Sequence, residues 1–197
     1  MRLILASSSP YRQDMLKRLG LPFTALAPQI HEAPLPGESP AAMAIRLSRA
    51  KAEAVSLKHP GALVIGSDQV ASVDDRAIGK PGDHAGAVAQ LRLLSGRSVE
   101  FHSALCLTDG HREITDNVIT VCHFRKLDDA EIQHYLERER PYDTAGSAKA
   151  EGLGIALMAS MRSDDPTAII GLPLIALSRM LRDFGINPLL TSAGVLA

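Results

Sequence analysis

In this sequence of 197 residues, Asp68 is the residue whose position most clearly indicates acid–base chemistry. The apolar run at residues 63–65 predicts a buried strand, which we expect to end at Gly66 and to leave Asp68 at the edge of the core. An aspartate after a glycine is often only a turn residue. A chemical role gains weight because four other segments, each at a predicted junction between elements, carry groups that bind phosphate or metal.

The first of these segments joins an N-terminal strand to a helix. Ser9 is a good N-cap, and Pro10 suits the first helical position. Ser7, Ser9 and Arg12 would then surround a helix N-terminus, where free backbone N–H groups and the helix dipole attract anions. These three residues are candidate phosphate ligands, although a plain Ser-Pro helix start explains the same pattern. The sequence contains no P-loop motif.

Three lysines are further candidate phosphate ligands. Lys51 falls on a helix predicted from Ser39 to about residue 58, where it either reaches a cleft or extends to solvent. Lys80 lies in a Gly-Lys-Pro-Gly loop, and Lys149 lies in a loop of small residues that also contains Glu151. The helix of Lys51 has a predicted apolar stripe at alternating spacings of four and three residues, formed by Met43, Leu47, Ala50, Ala54 and Leu57.

Cations, hydroxyl groups and two carboxylates together suit a triphosphate and a metal ion. Mg²⁺ binds one or two carboxylates plus substrate phosphates, so Glu32 and Asp68 are candidate metal ligands, and we expect Mg²⁺ or Mn²⁺ as the cofactor. Cleavage of a phosphoanhydride also needs an oriented water that a carboxylate can deprotonate, and Asp68 is the candidate catalytic base. Nucleophilic serine catalysis has less support, because the sequence has no G-x-S-x-G motif.

The elements that must position these residues alternate between strands and helices early in the chain. In the middle, strands predicted at residues 99–107 and 114–124 form a long hairpin. A capping box at Asp128 begins a later helix, and an apolar strand is expected from Ile155. We therefore predict one α/β domain over residues 1–197, with a mixed, twisted sheet, flanking helices and a cleft between two lobes.

Composition excludes several classes of protein. With a net charge of −1 and no long basic run, the chain lacks the phosphate-neutralising charge that binding to a nucleic-acid polymer requires. There is no signal-peptide pattern and no apolar run of membrane-spanning length, so we expect a cytoplasmic protein without membrane contact. Cys106 and Cys122 form no CxxC motif and are expected to be reduced structural thiols.

In their order along the chain, these motifs resemble the Maf family of nucleoside triphosphate pyrophosphatases. The matching segments are S-S-S-P-Y-R at 7–12, H-E at 31–32, R-A-K-A at 49–52, G-S-D-Q-V at 66–70, G-K-P at 79–81, G-S-A-K-A-E-G at 146–152 and G-L-P-L at 171–174. The resemblance covers nearly the whole chain. It implies a fold related to inosine triphosphate pyrophosphatases, hydrolysis of the α–β bond of a nucleoside triphosphate, a divalent cation and commonly a homodimer. It also implies that Asp68 is the catalytic proton acceptor, with phosphate and metal positions at Ser7, Arg12, Glu32, Lys51 and Lys80.

The family has one branch that prefers dTTP and UTP and another associated with 7-methyl-GTP. The second typically carries Gln after the catalytic Asp and an aromatic residue after Ser-Pro, and this chain resembles it through Gln69 and Tyr11. A 7-methylated guanine carries positive charge, which favours an aromatic face and a nearby carboxylate, so Tyr11, Gln69 and Glu151 are the candidate specificity residues. Tyr11 stands where Trp is usual, and Gln13 stands where a second Arg is usual. The alternatives are a dTTP/UTP pyrophosphatase and a nucleotide-binding regulator of cell division or septum formation.

Overall fold

A mixed sheet of seven strands lies at the centre of the part of the chain described by the computed structural model, residues 2–190. Its strands are β1 (Leu3–Ala6), β2 (Thr24–Ala25), β3 (Leu63–Val73), β4 (Arg76–Ile78), β5 (Ser98–Thr108), β6 (Glu113–Phe124) and β7 (Met158–Arg162). The helices are α1 (Pro10–Lys17), α2 (Pro40–Ser56), α3 (His84–Leu94), α4 (Asp129–Glu139) and α5 (Leu174–Asp183). The single domain predicted over residues 1–197 also includes Met1 and residues 191–197, which lie outside the described residues.

The strand order is β2-β1-β3-β5-β6-β7, and β4 pairs with part of β3. Strand β1 is parallel to both β2 and β3, whereas the remaining pairings are antiparallel. The parallel pairing of β1 with β3 ends at Ala6 and Gly66, so Ser7 and Ser67 leave the paired segment side by side. The predicted α/β fold with a mixed sheet is therefore confirmed, and its central strands deliver polar residues to one place.

Strand β3 is longer than the sequence predicts and carries Asp68 in its interior. It continues through Gly66 to Val73, so the predicted strand end at Gly66 is wrong. The glycine is needed for packing: a Cβ on Gly66 would lie 2.0 Å from the carbonyl oxygen of Ser48 and 2.8 Å from the backbone nitrogen of Ala52. Glycine at this position therefore allows α2 to lie directly against β3.

Helix α2 buries a different face from the predicted apolar stripe. Leu47 is buried as expected, but Leu57 is 78% exposed. The close contact with Gly66 requires small residues where the helix and strand meet, and Ser48 and Ala52 supply them. The buried residues on this helix are Pro40, Ala44, Leu47, Ser48, Lys51, Ala52, Val55 and Ser56. Lys51 therefore lies on the packed face itself, not beside it.

The later elements agree with the sequence in part. The hairpin of β5 and β6 is confirmed, and so is the capping box in which Asp128 and Glu131 bond reciprocally at the start of α4. The strand predicted from Ile155 is wrong, because residues Leu153–Leu157 form a 3-10 turn and β7 begins at Met158. This turn packs closely on the preceding loop, since a Cβ on Gly154 would lie 2.5 Å from the carbonyl oxygen of Lys149.

Separate apolar cores on the two sides of the sheet centre produce the two lobes. One core joins the first half of β3 to α1 and α5, with Leu16, Ile65 and Leu177 fully buried. The other joins the second half of β3 to α3 and α4, with Leu91 and Leu136 fully buried. Strands β3 and β5 run through both cores. The predicted cleft between two lobes lies over the middle of β3.

The two cysteines and the length of the helices bear on the expectations about reduced thiols and membrane contact. Cys106 and Cys122 are both buried and free. Burial raises the pKa of Cys122 to about 12 and raises that of Cys106 further above its usual range, where Glu113 adds to the effect. Among residues 2–190, no helix combines the length and the apolar character needed to cross a membrane.

Candidate active site

The cleft between the lobes has a volume of about 650 Å³ and receives side chains from both sides. Much of its lining is a polar set that the sequence already singles out. The predicted site residues that line it are Ser7, Ser9, Tyr11, Arg12, Glu32, Lys51, Asp68, Gln69, Lys80 and Glu151. Loops, helices and the central strand thus bring all the predicted site residues except Lys149 to one cavity.

Lys51 joins the two candidate carboxylates at the base of the cleft. Its Nζ lies 2.6 Å from Oδ1 of Asp68 and 2.8 Å from Oε1 of Glu32. The side chains of Lys51 and Asp68 are 7% and 10% exposed, whereas that of Glu32 is 53% exposed. Asp68 uses only Oδ1 in this contact, and its Oδ2 has no hydrogen-bond partner among residues 2–190. One carboxylate oxygen is therefore oriented and the other is available to a ligand or water.

Three nearby cations act on the carboxylate of Glu32. Burial would raise the pKa of Glu32, but the hydrogen bond and charge of Lys51, with the charges of Lys80 and Arg12, lower it below its usual value. Lys80 lies on the exposed loop after β4, and its ammonium makes no hydrogen bond or ion pair at contact distance within the described part of the chain. It is therefore a cation on the rim of the cleft that a phosphate can approach.

Arg12 is held by the loop before α5. Its Nε donates to the carbonyl oxygen of Gly171 at 2.9 Å, and Ser67 Oγ donates to the same oxygen at 3.0 Å. Burial lowers the pKa of the Arg12 guanidinium, while Asp68 and Glu32 oppose that change. The terminal guanidinium nitrogens donate to no residue in the described ranges, so this fixed, charged fork has donors left for an anion.

The two serines organise the turn between β1 and α1. Ser7 Oγ accepts from the backbone N–H of Ser9 at 3.1 Å, and Ser9 Oγ accepts from the backbone N–H of Arg12 at 3.4 Å. The N-cap predicted at Ser9 is thus confirmed. Each hydroxyl hydrogen remains available as a donor, and the role of both serines in phosphate binding stays a prediction.

The candidate specificity residues lie in the same cleft but differ in how firmly they are held. Gln69 is half-buried, and its Nε2 donates to Ser103 Oγ and to two backbone carbonyl oxygens. Tyr11 is half-buried on the first turn of α1, and Glu151 is exposed on the opposite lobe. Gln69 is therefore held by three contacts, whereas the side chains of Tyr11 and Glu151 make no hydrogen bond within residues 2–190.

Lys149 is the one predicted site residue that the structure does not bring to the cleft. Its Nζ donates to the carbonyl oxygen of Glu139 at 3.2 Å, and its backbone N–H donates to the hydroxyl of Tyr135 at 3.1 Å. The side chain thus anchors the loop 145–154 to α4. The sequence places a cation in the loop correctly but cannot indicate that the C-terminal end of a helix, with its free carbonyl groups, is the nearer partner.

Sequence reasoning missed Asp165, which builds the loop behind Arg12 and Gln69. Asp165 is 2% exposed and accepts from the backbone N–H groups of Thr167, Ile175 and Ala176. It therefore caps α5 from nine residues before the helix begins. A cap normally lies immediately before its helix, so no local spacing rule identifies this one.

The carboxylate pair fits a divalent cation of the hard, oxygen-binding kind. Glu32 and Asp68 each have one oxygen on Lys51, which leaves Oε2 and Oδ2 without partners among the described residues. Two carboxylates with room for phosphate oxygens match the way proteins bind Mg²⁺. Residues 2–190 contain no group of three or more His, Cys, Asp and Glu side chains able to hold a metal alone, so phosphates would have to complete the coordination.

This architecture defines the class as an α/β protein with an interlobe cleft lined by several cations and two carboxylates. A HAM1 protein from Coxiella burnetii has a similar fold, with a TM-score of 0.53 at 16% sequence identity over 93% of this chain and 99% of that one. Residues 2–184 match a family model described as Maf-like protein. The chain belongs to the Maf family, which confirms the resemblance seen in its motifs.

Curated relatives match along most of their length. A 7-methyl-GTP pyrophosphatase of Bordetella avium is 68% identical over 188 residues, which cover 95% of each chain. Proteins with the same name from Cupriavidus metallidurans and Ralstonia nicotianae are 61% and 60% identical, over 93% and 92% of this chain and 93% and 94% of theirs. These names agree with the branch that Tyr11 and Gln69 indicate.

Proposed function

We propose that this protein hydrolyses the α–β phosphoanhydride of 7-methyl-GTP, with 7-methyl-GMP and pyrophosphate as products. The observation that carries the proposal is the carboxylate of Asp68, held at Oδ1 by Lys51 and open at Oδ2, in a cleft with separate cations. The names of the Bordetella, Cupriavidus and Ralstonia relatives support the choice of substrate. A role in removing modified nucleotides follows from that substrate.

Asp68 serves as the general base in this reaction. Its Oδ2 accepts a proton from a water molecule while the water oxygen bonds to the α-phosphorus. The bond from the α-phosphorus to the oxygen that bridges to the β-phosphorus breaks, and its electron pair leaves with pyrophosphate. Lys51 keeps Asp68 in place, while Arg12 and Lys80 stabilise the negative charge that accumulates on the phosphates. Ser7 and Ser9 add hydroxyl donors at the helix N-terminus.

Glu32 would hold the divalent cation, Mg²⁺ or Mn²⁺, together with phosphate oxygens of the substrate, and Asp68 would share in holding it with a lone pair other than the one on Oδ2 that takes the proton. When bound, such a cation neutralises phosphate charge and makes the diphosphate a better leaving group. Because Lys51 already contacts both carboxylates, it orients them for the ion and limits their mutual repulsion. Although burial would raise the pKa of Glu32, the hydrogen bond and charge of Lys51, with the charges of Lys80 and Arg12, outweigh that effect and lower the pKa, so they favour its carboxylate form.

Tyr11, Gln69 and Glu151 are the residues that we assign to the base. The positive charge of 7-methylguanine favours the ring of Tyr11 and the carboxylate of Glu151. Gln69 offers a further polar contact from the floor of the cleft. These three residues come from both lobes, so recognition of the base also holds the lobes together.

We further propose that the chain acts as one domain over residues 1–197, as a cytoplasmic homodimer that takes free nucleotides rather than nucleic-acid polymers and does not contact membranes. The free, buried thiols of Cys106 and Cys122 suit a reducing compartment, and the net charge of −1 suits a small ligand better than a polymer. Light scattering measured with size-exclusion chromatography tests the dimer, since a mass equal to one chain would contradict it.

The central experiment measures products and substrate preference together. Purified protein with Mg²⁺ or Mn²⁺ is incubated with 7-methyl-GTP, dTTP and UTP, and the phosphorus products are identified by NMR. We expect pyrophosphate and the highest kcat/KM with 7-methyl-GTP. Orthophosphate as the only primary product would contradict the chemistry, and preference for dTTP would contradict the substrate. Tight binding without turnover would favour a nucleotide-binding regulator instead.

A further inference from the structure

The side-chain amide of Gln69 has more hydrogen-bond partners than a side chain needs merely to line a cavity. Its Nε2 lies 2.9 Å from Ser103 Oγ and 3.0 Å from the carbonyl oxygens of both Ala168 and Ile169. Ser103 faces Gln69 directly across the antiparallel pair of β3 and β5 and is completely buried. A strand and a loop from distant parts of the sequence thus converge on one amide group.

The neighbours of this amide determine which side its NH₂ group faces and which side its oxygen faces. Carbonyl oxygens only accept, so the NH₂ group of Gln69 must face Ala168 and Ile169. Ser103 Oγ lies 2.7 Å from the carbonyl oxygen of Ala168 and donates its own hydrogen there. Toward Gln69, Ser103 can therefore only accept. The amide oxygen of Gln69 is left on the other side, with no hydrogen-bond partner among residues 2–190, in a side chain that lines the cleft.

We propose that Ser103 is a positioning residue for base recognition, which acts with the carbonyl groups of Ala168 and Ile169 to hold the amide of Gln69 so that its carbonyl oxygen faces the nucleotide base. This inference rests on the proposed function. With the amide fixed, Gln69 offers an acceptor and no donor, and the carboxylate of Glu151 is also an acceptor. The cleft then selects a base edge that presents neighbouring donors.

Guanine satisfies that requirement better than the pyrimidines of dTTP and UTP. Its N1–H and N2–H₂ groups are adjacent donors, whereas thymine and uracil present one N–H between two carbonyl oxygens. A Gln69 amide able to rotate would offer either an acceptor or a donor and would discriminate less. Ser103 therefore contributes to selectivity without touching the substrate, because it is one of the three acceptors that hold the amide in this orientation.

Ser103→Ala tests the assignment, with Ser72→Ala as the matched control. Ser72 is a similarly buried serine on β3, but it does not line the cleft, and its hydroxyl lies against the carbonyl oxygen of Glu100. Loss of one of three acceptors should reduce the ratio of kcat/KM for 7-methyl-GTP to that for dTTP by about 3- to 10-fold. The loss should appear mainly in KM, and Ser72→Ala should keep the parent ratio.

A double-substitution cycle separates positioning from a general structural effect. In protein that already carries Gln69→Ala, Ser103→Ala should leave the nucleotide ratio unchanged, because there is no amide to orient. An equal fall on all nucleotides, or an undiminished effect of Ser103→Ala without Gln69, would overturn the proposal. If the parent protein showed no preference for 7-methyl-GTP, the proposed substrate would be refuted. That measurement needs no variant, so the failure of the proposed substrate is distinguishable from the failure of the role of Ser103.

Discussion

At the scale of single residues, the contact of Lys51 with both Asp68 and Glu32 explains how two acids can share one small site. An ammonium within 2.8 Å of each carboxylate reduces their repulsion and fixes one oxygen of each. The sequence assigns Lys51 to phosphate binding, and that role stays a prediction. The structure adds an orienting role, because both carboxylates meet at its nitrogen.

Asp68→Asn keeps the shape of the side chain but removes its ability to take a proton. We expect kcat to fall by a factor of roughly 10² or more, in line with the loss of a general base, with a smaller change in KM. Asp164→Asn is the control, since Asp164 is an exposed acid that does not line the cleft. Steady-state rates and circular dichroism of both variants provide the measurement. Turnover of the Asp68→Asn protein within a few-fold of the parent would leave Asp68 with only a structural role.

The lowered pKa of Glu32 predicts how its ion pair with Lys51 responds to acid. As the pH falls below 4.5, the unfolded chain takes up a proton at Glu32 before the folded protein does, so acid weakens folding through this group. Its contribution is full above 4.5 and is lost as the pH falls through the folded pKa. The measurement is the difference in thermal midpoint between the parent and Glu32→Gln from neutral to acidic pH. We expect the parent's advantage to disappear on acidification, and a constant difference would contradict the assignment.

At the scale of secondary-structure elements, the contact between α2 and β3 builds the end of the cleft that contains Asp68 and Lys51. Helix α2 begins with Ser39 as its N-cap, and its Ser48 and Ala52 pack against the bare backbone of Gly66. This approach brings Lys51, on the same helix face, within 2.6 Å of Asp68, two residues beyond Gly66 on the strand. Gly66 therefore allows α2 to come close enough to β3 for Lys51 to reach Asp68.

Gly66→Ala should consequently disturb both stability and activity. Its Cβ would meet backbone atoms of α2 at 2.0 Å and 2.8 Å, which cannot move without shifting the helix, so we expect a loss of about 3 kcal/mol in the free energy of unfolding. Gly79→Ala is the matched control, because a Cβ there has no heavy atom within 4 Å and needs no left-handed backbone. Urea unfolding of both variants measures the difference. Equal stability of the two would show that α2 adjusts freely.

The same elements show what a sequence can and cannot predict. The strand and helix of residues 3–17, the β5–β6 hairpin and the cap at Asp128 follow from local rules, and the structure confirms them. The predictions for the end of β3 and the buried face of α2 are wrong, since Gly66 and Ser48 make sense only when the helix lies on the strand. Likewise, the partner of Lys149 and the cap supplied by Asp165 depend on contacts between distant segments.

At the scale of the whole molecule, the cleft lies where two separately packed lobes share the continuous strands β3 and β5. The phosphate-binding candidates Ser7 and Arg12 belong to the lobe of α1 and α5, whereas Glu151 belongs to the lobe of α3 and α4. Asp68 and Gln69 lie on β3 between them. A nucleotide that spans the cleft must therefore touch both lobes, since the residues assigned to its base, Tyr11 and Glu151, belong to different lobes.

Hydrogen exchange can test that arrangement on the inactive Asp68→Asn protein with Mg²⁺. At about 100 times its Kd, 7-methyl-GTP reduces the population of free protein by roughly 100-fold. Amides in residues 7–12 and 143–151 that exchange only from the free protein should therefore exchange roughly 100-fold more slowly. Pyrophosphate with Mg²⁺ is the control and should protect residues 7–12 but not residues 143–151, because it lacks the base. If the full nucleotide protected only one lobe, the substrate would not bridge the cleft, and the assignment of Glu151 to the base would fail. Protection of both segments by pyrophosphate alone would instead indicate that the lobes close on the phosphates and that the base adds little to holding them together.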